Sequence, residues 1–107
     1  MPKFLIEGSY TPEGLKGLAK DKASGRHAAL NDLLASLGGK LEGMYYALGD
    51  ADVYAFCDCP DHVTAAALSL AATSTGLVRT KTIALMTVEE TDRALSMKPV
   101  YRAPGKA

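Results

Sequence analysis

A chain of 107 residues with 48% hydrophobic and 22% charged side chains has ordinary globular composition and the length of one domain. Lys plus Arg number 12 and Asp plus Glu number 12, so no net field attracts a polyanion and no nucleic-acid partner is expected. No apolar run approaches the roughly 20 residues of a membrane span, and MPKFLIEGSY is too short and too polar for a secretory signal. The expectation is no membrane, a cytoplasmic location and reduced cysteines.

Residues 3–10, KFLIEGSY, are expected to form a strand with Phe4, Ile6 and Tyr10 on one face. A helix follows, with Thr11 as N-cap, Pro12 at its first position and Glu13 in its first turn. Gly14, Gly17 and Ser24-Gly25 are poor interior residues and predict an interruption. Beyond it, Leu30, Leu33, Leu34 and Leu37 form an i, i+3, i+4, i+7 stripe closed by Gly38-Gly39.

Strand two is expected over 40–48, a tight turn over 49–51, and strand three over DVYAFCDC. Val53, Ala55 and Cys57 fall on one face of strand three, Tyr54 and Phe56 on the other, so it should be central. Pro60-Asp61 opens a second helix whose predicted stripe is Val63, Ala66, Ala67 and Leu70. TSTG ends that helix, and LVRTKTIALM, residues 77–86, is strand four. Thr87 and Glu90 have capping-box spacing and predict a last helix over about 88–97. The domain then spans 1–97, with 98–107 a basic tail that is either disordered or an arm on a neighbouring subunit.

A βαββαβ order with a further helix predicts an α+β, ferredoxin-like fold: a four-stranded antiparallel sheet with helices on one face. The other face has no cover within the chain, so a homo-oligomer, at least a dimer through the open sheet faces, is expected. GSYTPEGLKGL, GRHAAL, LGGKLEGMYYALGDADV and CPDHVTAAALSLAATSTGLVRTKTI resemble the GYD-domain family over about residues 3–90. The family is named for a Gly-Tyr-Asp turn after strand two. Here Gly49 and Asp52 of Gly49-Asp50-Ala51-Asp52 fit it, and the tyrosine position does not. The resemblance implies a dimeric α+β barrel, whose wider superfamily includes cofactor-independent monooxygenases, isomerases and haem-binding proteins.

The stretch CDCPDH, residues 57–62, gathers metal-ligand types, yet no second Cys/His pair completes four ligands. Cys57 and Cys59 are expected to be small buried hydrophobes, Asp61 a helix N-cap and His62 an exposed first-turn residue, with no metal and no cofactor. His27 and Asp52 are the candidate catalytic groups, since histidine is the side chain most often used for general acid–base work. Tyr10, Arg26, Tyr46, Asp52 and Arg79 are the candidate ligand-binding residues. Tyr10, Asp52 and Arg79 are expected at one edge of the sheet; Asp52 is equally a turn residue bonding the backbone. A non-catalytic domain binding a small apolar or aromatic metabolite is the favoured reading. A cofactor-independent oxygenase or isomerase, or a structural oligomerisation module, are the alternatives. The binding reading requires roughly 300 Å³ of cavity, and the catalytic one requires His27 or Asp52 to point into it.

Overall fold

Strand periodicity and helix caps set the element order. The computed structural model describes residues 1–106. It runs β1 (Lys3–Tyr10), α1 (Pro12–Ser36), β2 (Lys40–Tyr46), β3 (Val53–Asp58), α2 (His62–Thr73), β4 (Val78–Leu85) and α3 (Val88–Ser96). The strands form one antiparallel sheet in the order β2-β3-β1-β4, which is the expected ferredoxin-like α+β arrangement.

Register decides what each face carries. Phe4 lies opposite Cys57 and Ala84, and Ile6 opposite Ala55 and Thr82. Phe4, Ile6 and Cys57 are buried with Leu34 of α1 and Ala65 and Leu68 of α2, and this cluster is the core. The alternate residues, Leu5, Tyr54, Phe56, Ile83 and Leu85 among them, form the opposite face, which no helix of the described residues covers. In β2 a bulge between Leu41 and Gly43 resets the alternation by one residue. Leu41 and Met44 therefore both face the helices, Tyr45 joins the open face, and Tyr46 returns to the helix side.

One expectation is corrected in α2. Its buried residues are Ala65 and Leu68, whereas Val63 is 65% exposed and Leu70 is 69% exposed. The predicted stripe therefore points outward. The helix is alanine-rich around its whole circumference, so apolar spacing alone could not select the face that packs. Small hydroxyls seat the helix over β4 instead: Thr73 meets Thr80 at 2.9 Å, and Ser69 meets Thr82.

The interruption of α1 falls at Lys22, with φ 66° and ψ 164°, rather than at a glycine. That backbone region is essentially confined to glycine, and a side chain held there costs about 1–3 kcal/mol. At its start the helix presses on β4. A Cβ on Gly14 would lie 1.9 Å from the Leu77 carbonyl oxygen, whereas one on Gly17 would meet nothing within 4 Å.

The C-terminal segment leaves the body. The chain measures 59 × 31 × 23 Å with a radius of gyration of 17.1 Å, against about 13 Å for a compact domain of this length. α3 is closed by the reciprocal Thr87–Glu90 capping box, yet none of its residues is buried. Met86, Val88, Leu95, Met97, Val100 and Tyr101 are all exposed.

Gly14→Ala and Gly17→Ala are expected to change stability in opposite directions. Alanine normally stabilises a helix interior by about 0.8–1 kcal/mol over glycine, so Gly17→Ala raises the thermal midpoint while Gly14→Ala lowers it through the collision with Leu77. Lys22→Gly should stabilise by about 1 kcal/mol, a rise of about 4–8 °C, because relief of the backbone strain exceeds glycine's added unfolded-state entropy. Thermal denaturation of the variants checks all three.

Candidate functional site

Two adjoining clefts lie on the helix side of the sheet. The outer one, about 190 Å³, is lined by Gly14, Gly17 and Leu18 of α1 and by Leu77, the residue before β4. The inner one, about 120 Å³, has Ile6, Met44, Val53 and Ala55 of the sheet beneath Leu30 and Leu33 of α1 and Leu68 of α2. Tyr10, Arg26, Ala72 and Val78 line both, so the clefts meet at these residues. Gly8 opens the floor: a Cβ there would lie 2.8 Å from Val53 Cγ1. A β1 side chain at that position would fill the space.

The rim is polar. Arg26 leaves α1 four residues after the Lys22 break, and its Nη1 lies 3.5 Å from Asp21 Oδ2 with both side chains half exposed. That is a weak, solvent-screened pair. Tyr46 stands near Tyr10, and burial, then the Tyr10 hydroxyl, push its phenol up to about 12 against the opposing pull of Arg26. Tyr46 therefore stays protonated at physiological pH and is able to donate a hydrogen bond.

The sequence-predicted residues are thus distributed over different places. Tyr10 and Arg26 line the helix-side clefts, with Tyr46 beside them. Asp52 is at the same end of the sheet, but its Oδ2 accepts the Tyr10 backbone N–H at 2.8 Å. Its own N–H donates to Gly8 O at 2.8 Å, and its carbonyl accepts from Ala47 N at 2.8 Å. These bonds fasten the β2–β3 turn onto the end of β1. His27 is exposed, its Nδ1 3.4 Å from Asn31 Nδ2, and neither His27 nor Asp52 lines the helix-side clefts. Arg79 pairs with Ser9 and so lies on the open face, away from Tyr10, which pairs with Val78. It lines a separate, more polar hollow of about 250 Å³ with Glu7, Asp50 and Lys81.

The CDCPDH stretch resolves into the end of β3 and a helix start. Cys57 and Cys59 are free and fully buried. Burial, reinforced by Cys59, raises the Cys57 thiol to about 12, and burial likewise raises Cys59, so neither is a ready thiolate. Asp61 caps α2, its Oδ1 accepting from Thr64 N at 2.8 Å and from the Thr64 hydroxyl at 2.7 Å. Those bonds hold its carboxyl below the usual range. His62 is exposed, and no group of three or more His, Cys, Asp or Glu side chains converges among the described residues.

Sequence reasoning missed the parts that Met44, Gly8 and Gly14 play in the clefts. Met44 reaches them only through the β2 bulge, and the glycines at 8 and 14 open space through contacts across the fold. Gly8 within a strand was the one local signal available, since an interior strand glycine marks close approach or a bulge.

A four-stranded antiparallel sheet with helices on one face places the chain among α+β proteins of the ferredoxin-like class. The chain belongs to the GYD domain family, whose model matches residues 4–95. Neither curated proteins nor solved structures provide a match. The turn that resembles the family's signature, Gly49 to Asp52, ends in Asp52, whose carboxylate and backbone together fasten the turn to the end of β1 and to Ala47.

Asp52→Ala is expected to lower stability by about 2 kcal/mol, through loss of a charge-assisted hydrogen bond to the Tyr10 N–H. Asp52→Asn, which keeps an acceptor, should lose about half as much. Urea denaturation measures both.

Proposed function

We propose that this domain binds a small, largely apolar or aromatic molecule on the helix side of its sheet, without catalysing its conversion. The observation that carries this reading is the pair of adjoining clefts, about 190 and 120 Å³, with an aliphatic floor and Tyr10 and Arg26 where they meet. Together they reach the roughly 300 Å³ at which small-molecule sites begin. An aliphatic floor with a few polar groups at one end is the pattern by which such sites combine affinity with orientation. The catalytic reading lacks its central support, because His27 is solvent-exposed and Asp52 bonds backbone.

The binding unit in this proposal is a homodimer joined through the open sheet faces. Leu5, Tyr54 and Phe56 on that face are half buried, while Tyr45 is 67% exposed and Ile83 37% exposed, an apolar surface that a second copy would cover. The exposed apolar residues of α3 and the following segment favour an arm laid across that second copy. Dimerisation leaves the helix-side clefts accessible, since they are on the other side of each sheet.

Native mass spectrometry of the purified protein tests both parts, reporting a dimer and a co-purifying small molecule as mass increments. Phe56→Asp is expected to give a folded monomer, because residue 56 faces the open side. Val53→Asp is expected to unfold the chain, because Val53 is on the core side at 9% exposure. A Phe56→Asp protein that remains dimeric removes the sheet-face interface.

A further inference from the structure

Resting on the binding reading, we infer that the preferred ligands of the helix-side clefts are small aromatic or short aliphatic acids, held with the carboxylate at Arg26 and the apolar body in the inner cleft. The geometry separates the two ends of such a molecule. The inner cleft, about 120 Å³, is walled by Ile6, Leu30, Leu33, Val53 and Leu68. Cavities of about 150 Å³ with comparable aliphatic walls stay dry and take up benzene. A single ring or a short branched chain therefore matches the inner space, with its substituent directed to the opening onto the outer cleft.

Arg26 stands at that opening, lining both clefts. Among the described residues it is the only cation lining either of them, and the sole carboxylate is Asp21 in the outer cleft. At 3.5 Å and half exposed, the Asp21 contact leaves most of the guanidinium fork unused. A planar guanidinium matches a carboxylate with paired, parallel hydrogen bonds. The Tyr10 and Tyr46 phenols stand near the same place; Tyr46, raised to about 12, carries its proton and adds a donor rather than a competing charge. Donors at the rim and aliphatic groups behind it select an amphiphile whose head accepts hydrogen bonds. A cationic head would meet Arg26 directly, and a fully apolar molecule would leave the rim unused.

Isothermal titration with benzoate, benzamide and toluene, on the wild-type protein and on Arg26→Gln, tests the assignment. Titration of methyl NMR signals at Leu30, Leu33 and Val78 locates the binding. Wild-type protein is expected to bind benzoate about tenfold more tightly than benzamide, with shifts confined to the cleft methyls. Arg26→Gln should abolish that preference, weakening benzoate far more than benzamide or toluene. Arg26→Lys, which keeps the charge without the fork, should retain part of it. Benzamide or toluene binding in the cleft as tightly as benzoate overturns the acid assignment and leaves the binding reading standing. An unchanged benzoate preference in Arg26→Gln overturns it also. Absence of cleft shifts with all three probes in the wild type overturns both.

Discussion

The carbonyl of Leu77 is the point at which the first helix is fastened to the sheet. It accepts the Thr11 N–H at 3.0 Å and the Thr11 hydroxyl at 3.2 Å, and Gly14 lies against it because no side chain intervenes. From this anchor beside β4 the helix must deliver the chain to β2, at the opposite edge of the sheet. The two edges are about 14 Å apart, three strand spacings, while a straight helix of this length would run about 37 Å. An eight-residue strand spans only about 27 Å. α1 meets this mismatch by breaking at Lys22 and packing its second half with Leu41 of β2. The clefts occupy the space around that change of direction, between the two halves of the helix, α2 and the sheet. They are a consequence of the crossing, which the fastening at Leu77 imposes.

Much of the fold was legible because its signals are local. Thr11, Asp61 and Thr87 cap helices as their positions predict, and the strand alternation separates Phe4 and Ile6 from Leu5 and Glu7. What escaped depends on contacts made across the chain. The outward stripe of α2 could not be told from its inward one, since alanine and leucine lie on both sides and the hydroxyl contacts with β4 accompany the observed rotation. The break in α1 was expected from glycines, but the backbone strain is held by a lysine.

The candidate site divides along the same line. Tyr10 and Arg26 could be placed near a rim from their positions at a strand end and a helix start. Tyr46 is also among the candidates, but its face was not legible, because an unbulged β2 puts Met44 and Tyr46 on the open face and Tyr45 toward the helices. Arg79 follows the sheet's alternation to the far side. Its distance from Tyr10 is therefore one of face rather than of position along the strand, and edge arguments from topology alone do not resolve faces.

The broken helix also changes the electrostatics of a chain whose formal charges cancel. A continuous helix would have a single positive end, at Thr11. The interruption at Lys22 divides the helix, and the start of its second half carries the partial positive charge of a helix N-terminus. Arg26 stands in that first turn, at the end where a cation is least favoured, and Asp21 across the break is the carboxylate that offsets it. The break thus adds about half a positive charge to a rim whose arginine is already partly offset by Asp21.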